Sequence, residues 1–221
     1  MEMTMKDIAI FGAGGFGKEV ACLVGAINRA RGDNNQWNFI GFFDDSIEAG
    51  TSISHFGKVL GGIETVNSWD KPLDLVIAIG SGAILKKLSN IITNSNINFP
   101  NLIHPSVDIL DLESFKIGKG NIIQRNCTGS CDVILGDFNV LNSSVQLGHD
   151  NVLGSFNVLM PAVRISGAVT IGDGNFFGVG SIVLQQIKIG NNVRLGAGSV
   201  LMTKPKDEHL YMGNPARKIQ L

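Results

Sequence analysis

From Ile117 onward a large apolar residue returns at every sixth position. The series runs Ile117, Ile123, Leu135, Leu141, Leu147, Leu153, Leu159, Ile165, Ile171, Phe177, Val183, Ile189, Leu195 and Leu201, with Gly129 as its one exception. This beat fits neither the 3.6-residue turn of a helix nor the two-residue alternation of a strand. Glycine often follows it, as at Gly118, Gly136, Gly148, Gly154, Gly172, Gly178, Gly190 and Gly196. Four places after the beat stands a small or β-branched residue or asparagine, such as Cys127, Val133, Val145, Val163, Ser181 and Ser199. A sustained hexapeptide repeat predicts a parallel β-helix. Each six residues supply a short strand and a corner, and three such pieces close a triangular coil. The beat residue fills the coil and the small residue fits a tight corner. Glycine after the beat is expected to accommodate the turn geometry. Each coil hides its apolar side only by stacking on its neighbours. "IHPSVDIL", from Ile103, reads as a first coil in another register, with a short insertion before Ile117.

The first hundred residues follow a different rule. "IAIFGAGG", "WNFIGFFDD" and "LDLVIAIGSG" read as buried strands. "GKEVACLVGAINRA", with Val20, Leu23, Val24 and Ile27 at helical spacing, and "AILKKLSNIITN" read as helices. Strand–helix alternation predicts a small parallel sheet. The prolines of "NFPNLIHPSV" mark the boundary. The expected organisation is a Rossmann-like α/β domain over residues 1–102, a β-helix over 103–203 and a tail over 204–221.

Composition adds exclusions. The chain has 221 residues, a formal net charge of −1 and 28 glycines. Such a balance speaks against a nucleic-acid surface or a polybasic membrane patch. No apolar stretch approaches the roughly 20 residues of a membrane span, and the first apolar run is short for a signal peptide. A cytoplasmic protein is the expectation. Cys22, Cys127 and Cys131 form neither a disulfide framework nor a zinc-ligand spacing, so no metal is expected.

Two local motifs carry chemistry. "GAGGFG" satisfies G-x-G-x-x-G through Gly12, Gly14 and Gly17, between a strand and a helix, where backbone and helix dipole favour a phosphate. Asp44 and Asp45 end the next strand, where a dinucleotide fold grips ribose. An NAD site is one reading of this pattern. Against it, a sheet ending within about a hundred residues is short of two mononucleotide halves, and no second domain for hydride chemistry follows. The second motif is His149–Asp150, two places after the beat residue Leu147, where side chains face outward at a corner. Imidazole titrates near neutrality and serves as a general base, and an adjacent carboxylate fixes its tautomer. A plain surface histidine is the alternative. A zinc site of three histidines is excluded, because no other histidine lies within forty residues of His149.

Taken in order, "FGAGGFGKEV", "GFFDD", "AIGSG", "IHPSV", "LNSSVQLGHD", "ISGAVTIGD", "GAGSVL" and "GNPARKI" resemble the hexapeptide acyltransferases of sugar metabolism that carry a small α/β N-terminal domain. That family includes sialic acid O-acetyltransferases and N-acetyltransferases of nucleotide-linked 4-amino-6-deoxy sugars. The resemblance implies a left-handed β-helix, a homotrimer, and acetyl-CoA held in a cleft between subunits. It implies His149 as base and Asp150 as its partner. It further implies Ser166, Gly167, Gly178, Val179, Gly196 and Ala197 along the coenzyme, with Arg217 and Lys218 near its phosphates. Gly14, Gly15, Asp44, Asp45, Gly80 and Ser81 would meet the nucleotide, and Asn142 the acceptor sugar. Two positions depart from the pattern. Phe16 stands where relatives often have histidine, and Val158 stands where the bacillosamine-type enzymes carry a second histidine. The expected reaction is N-acetylation of a nucleotide-linked amino sugar in surface glycan synthesis. Its rivals are O-acetylation of a sialic-acid-type sugar and a trimeric scaffold that binds a sugar nucleotide without turnover.

Overall fold

In the computed structural model, which describes residues 5–32 and 36–220, the apolar run at the N-terminus becomes strand β1 (Lys6–Phe11). The first four residues of the expected N-terminal domain, residues 33–35 within it and the last residue of the expected tail lie outside the described residues. Ile8 to Phe11 are buried, as a strand covered on both faces requires. Helix α1 (Gly15–Arg31) follows and buries Val20, Ala21, Leu23, Val24 and Ile27. After β2 (Trp37–Phe43) come a short strand β3 (Ser52–Ile53), β4 (Gly57–Gly61), a short helix α2 (Ile63–Asn67), β5 (Leu73–Ile77), α3 (Gly82–Ile91) and β6 (Ile97–Asn98). The sheet order is β3-β4-β2-β1-β5-β6, parallel except for the β3–β4 pair. The chain thus runs outward from β1 to one side through β2 and returns to the other through β5. That makes the carboxyl end of β1 the topological switch point, the place where open α/β sheets form a crevice.

The remaining residues form the coil. Two-residue strands recur every six positions, and each pairs in parallel with the strand one coil on: Ile122 with Val140, Gln146 with Arg164, Val152 with Thr170. The beat residues from Ile123 onward are buried and form one core, with Ile117 half-buried against it. Gly129 breaks the beat for a steric reason. A Cβ there would lie 2.8 Å from Ile109 Cδ1, so the first coil's isoleucine already fills the space. A hairpin of Leu210–Gly213 and Ala216–Ile219 closes the far end.

The structure corrects one expectation about the glycines. The left-handed backbone lies three places after the beat, not one. Asn126, Asp132, Phe138, Ser144, Asp150, Phe156, Ala162, Ala168, Gln186 and Asn192 all have φ between 53° and 64°. The glycines directly after the beat answer a different need, the close approach of successive coils. A Cβ on Gly136 would lie 2.7 Å from Gly154 O, and one on Gly178 would lie 2.4 Å from Ala197 N.

One corner is built of polar groups. Asn121, Asn139, Asn157 and Asn175 are buried and stack through residues eighteen apart. In each step Oδ1 accepts the backbone N–H and the side-chain amide of the next rung. Such a ladder satisfies buried amides that a bare corner would leave unpaired.

Candidate active site

His149 owes its position to the left-handed turn that follows Leu147. Asp150 takes the positive φ of 55°, which aspartate tolerates better than most side chains. The turn brings Asp150 Oδ2 to 2.6 Å from His149 Nδ1. A carboxylate only accepts, so Nδ1 carries the hydrogen, and in the neutral ring that tautomer leaves the lone pair on Nε2. Both side chains are 60% exposed. Solvent screening therefore makes this contact a device of orientation more than of stability.

The coil above completes the arrangement. A Cβ on Gly167 would lie 2.3 Å from His149 Nε2 and 2.6 Å from Cε1, so the ring rests where this glycine has no side chain. The His149 carbonyl accepts the Ala168 N–H at 2.7 Å, which ties the two corners together. Ser166 and Gly167, expected along the coenzyme, thus lie directly over the histidine.

One neighbour of His149 was missed by reading along the chain. Cys131 occupies the same column one coil below, and its carbonyl accepts the Asp150 N–H at 3.0 Å. The signal was available, since residues eighteen apart stack. Cys127 is a different case. It is buried in the core, where desolvation pushes its thiol up to about 11 and keeps it protonated.

The other expected coenzyme residues lie at a different corner of the triangle. Gly178 and Val179 stack beneath Gly196 and Ala197, with Val179 and Ala197 exposed. Asn142 shares that column two coils earlier, is buried, and donates through Nδ2 to Leu159 O at 3.1 Å. A single chain therefore does not gather His149 and the Gly178 group into one corner. Arg217 is exposed on the terminal hairpin, opposite Met212. Val158 is buried, at 1% exposure, in a strand that pairs with Val140 and Phe176.

In the α/β unit the three glycines act as steric devices. Gly12 has φ 108° and passes within reach of the Ala78 carbonyl, and a Cβ on Gly17 would collide with Gly12 O. Gly14 and Gly15 have open space around them and are exposed at the start of α1, whose N-cap carries no side-chain hydrogen bond. Uncapped amides at that end favour an anion. The two acids prove to be bound to backbone. Asp44 Oδ2 accepts the Ala13 N–H at 2.9 Å and Oδ1 accepts that of Ser46, latching the glycine loop to the end of β2. Asp45 Oδ1 accepts the Ile63 N–H at 2.7 Å and caps α2. Gly80 is exposed in the loop after β5, whereas Ser81 belongs with the coil unit. Among the described residues no cluster of His, Cys, Asp and Glu suits a metal, and no helix is long and apolar enough to cross a membrane.

Comparisons with known proteins agree with this layout. Residues 7–92 match the PglD N-terminal domain, and residues 168–202 match the bacterial transferase hexapeptide family of six repeats. No curated protein matches the sequence. Among solved structures, the chain is similar to the acetyltransferase domain of PglB from Neisseria gonorrhoeae FA1090 in complex with acetyl coenzyme A. The identity is 28% and the TM-score 0.86, with 98% of this chain and 100% of that one covered. It is likewise similar to PerB from Caulobacter crescentus, in complex with CoA and GDP-perosamine, at 25% identity and TM-score 0.87 over the whole of both chains. WeeI from Acinetobacter baumannii AYE matches at 25% identity and TM-score 0.85, covering 98% of this chain and all of that one. The coil is a left-handed β-helix of the kind these proteins share. With both halves and their order matched, the chain joins a PglD N-terminal domain to bacterial transferase hexapeptide repeats and is an acyltransferase similar to these proteins.

Proposed function

We propose that the protein transfers the acetyl group of acetyl-CoA to the amine of a nucleotide-linked 4-amino-6-deoxy sugar for surface glycan synthesis. The observation that carries this reading is the His149–Asp150 contact of 2.6 Å, with the ring seated against Gly167. The complexes of similar proteins with acetyl coenzyme A, and with CoA and GDP-perosamine, support the two substrates.

The neutral sugar amine attacks the thioester carbonyl carbon, forming the N–C bond and a tetrahedral oxyanion. His149 Nε2 takes the proton that the amine sheds, while Asp150 holds Nδ1–H and stabilises the imidazolium. Backbone N–H groups of the corner stabilise the oxyanion. Collapse breaks the C–S bond, and the departing CoA sulfur takes the proton back from His149. Ser166, Gly167, Gly178, Val179, Gly196, Ala197 and Arg217 are assigned to the coenzyme. Because all but Arg217, which lies on the terminal hairpin, occupy two corners of the β-helix, a homotrimer in which adjacent subunits each offer one corner accounts for the set. Gly14, Gly15, Gly80 and Ser81 are assigned to the nucleotide. Asp44 and Asp45 act there through the backbone they hold, and Asn142 is assigned to the acceptor sugar.

Thiol release from acetyl-CoA, measured with UDP-, dTDP- and GDP-linked 4-amino-6-deoxy sugars and free sialic acids, tests the reading. Turnover with one amino sugar is expected. His149→Ala should lose about 10²- to 10⁴-fold in kcat while keeping its melting temperature. Cys131→Ser should remain near wild type, because the mechanism routes no bond through that thiol and the ring rests against Gly167 in the coil above. A loss in Cys131→Ser as deep as in His149→Ala would instead place the acetyl group on the cysteine. Turnover with a sialic acid alone would move the enzyme to O-acetylation, and a folded protein silent with every acceptor would make it a binding scaffold.

A further inference from the structure

Asn151 follows the His149–Asp150 pair and is fully buried. The inward corner column in which it stands also holds Phe115, Val133, Val169 and Ile187, all apolar. In the asparagine ladder each Oδ1 accepts from the residue above. Asn151 has Val169 above it, and its Oδ1 finds no hydrogen-bond partner among the described residues. A buried carbonyl left unpaired forfeits its hydration without return. Valine, which this column accepts on both sides, carries no such penalty, so packing does not explain an asparagine here.

The donor end makes the reach that ladder asparagines make to Gly136 O, Gly154 O and Gly190 O, fifteen residues on, but here the carbonyl belongs to the peptide against which the His149 ring rests. Asn151 Nδ2 donates to Ser166 O at 2.8 Å and reaches His149 O at 3.5 Å. A trans peptide is planar, with C=O and N–H opposed. A Ser166 carbonyl turned in towards Asn151 therefore turns the Gly167 N–H outward, on the peptide against which the His149 ring rests. One buried amide grips both the backbone of the base and the surface against which its ring rests.

We infer that Asn151 is a positioning residue for His149: its side-chain amide locks the Ser166–Gly167 peptide and the His149 carbonyl, and so holds the ring in the orientation that exposes Nε2. The inference rests on the reading of His149 as general base. Its penalty, the unpaired Oδ1, falls at the corner where placement of a ring matters and nowhere else in that column.

The test compares wild type, Asn151→Val and Asn151→Thr by thermal unfolding, steady-state kinetics and ¹⁵N NMR of the His149 ring in the ligand-free protein. Asn151→Val should melt no lower than wild type, yet lose about tenfold or more in kcat, as a displaced catalytic group does, with KM for acetyl-CoA unchanged. Its His149 ring nitrogens should move from one tautomer towards a mixture. Asn151→Thr, which restores a donor facing Ser166 O, should recover part of both. Unchanged kcat and ring signals in Asn151→Val would overturn the inference. So would loss of the fold in that variant, which would make Asn151 an ordinary structural corner. If wild type turned over no acceptor, the acetyl-transfer reading would fall, while the ring signals would still decide the role of Asn151.

Discussion

At the scale of single residues, the chemistry depends on what is missing as much as on what is present. Gly167 has no side chain where the His149 ring lies, so Gly167→Ala tests the seat directly. The added methyl would meet Nε2 within van der Waals contact, and the ring, being the flexible partner, would swing away. We expect a fall in kcat of about 10²-fold, the scale of a 1 Å misplacement, with a melting temperature close to wild type. Equal activity would mean that the ring works from another position. His149 and Asp150 were legible along the chain because both are neighbours in sequence and their chemistry is local. Cys131 and Asn151 were not, because their partners lie a coil away and a six-residue beat describes only positions within a strand. Asp44 and Asp45 were legible as acids at a strand end, but not as latches. Their partners, the amides of Ala13, Ser46 and Ile63, are chosen by loop paths that no residue spacing encodes.

At the scale of elements, two corners of the coil give the asparagine amide the same acceptor, the carbonyl fifteen residues on, but differ in what they offer its oxygen. In the ladder, Asn157 accepts from the backbone N–H and the side-chain amide of Asn175, and its own amide donates to Asn139 Oδ1. Asn157→Val would strip the Asn175 N–H of its acceptor deep in the coil. The expected loss is ~1–3 kcal/mol, read as a fall of about 2–4 °C in Tm for each kcal/mol. The same exchange at position 151 is expected to leave Tm intact. A matched loss at both sites would erase the distinction drawn between them. The beat was readable because the interior of a triangular coil admits one large side chain per face and selects for it at every step. β3, β4 and α2 leave no such mark in the sequence, since two to five residues fall below the window in which a period shows itself.

At the scale of the whole molecule, the α/β sheet places its switch point at the glycine loop, and the loop opens its uncapped amides there. A melting screen with NAD, UDP, dTDP and GDP asks which phosphate it takes. A ligand that binds the folded state at a hundred times its Kd adds about 2.7 kcal/mol of stability. One nucleoside diphosphate is expected to raise the melting temperature and NAD to leave it unchanged, because the sheet ends at β6 and offers a single mononucleotide half. A rise with NAD alone would restore the dinucleotide reading of Gly12, Gly14 and Gly17.

The repeat of the coil also turns chain length into phase. Columns are indexed by counting, so the residue over the His149 ring is whichever one comes eighteen places later. Lengthening the chain by six residues between His149 and Pro161 would leave each hexapeptide locally sound, yet slide Pro161 into the place of Gly167. A whole coil added beyond the corner would leave the histidine and its seat untouched. Such a molecule can grow or shrink through evolution in steps of one full coil, while a smaller slip, invisible to any single strand, would disengage its chemistry like a gear one tooth out.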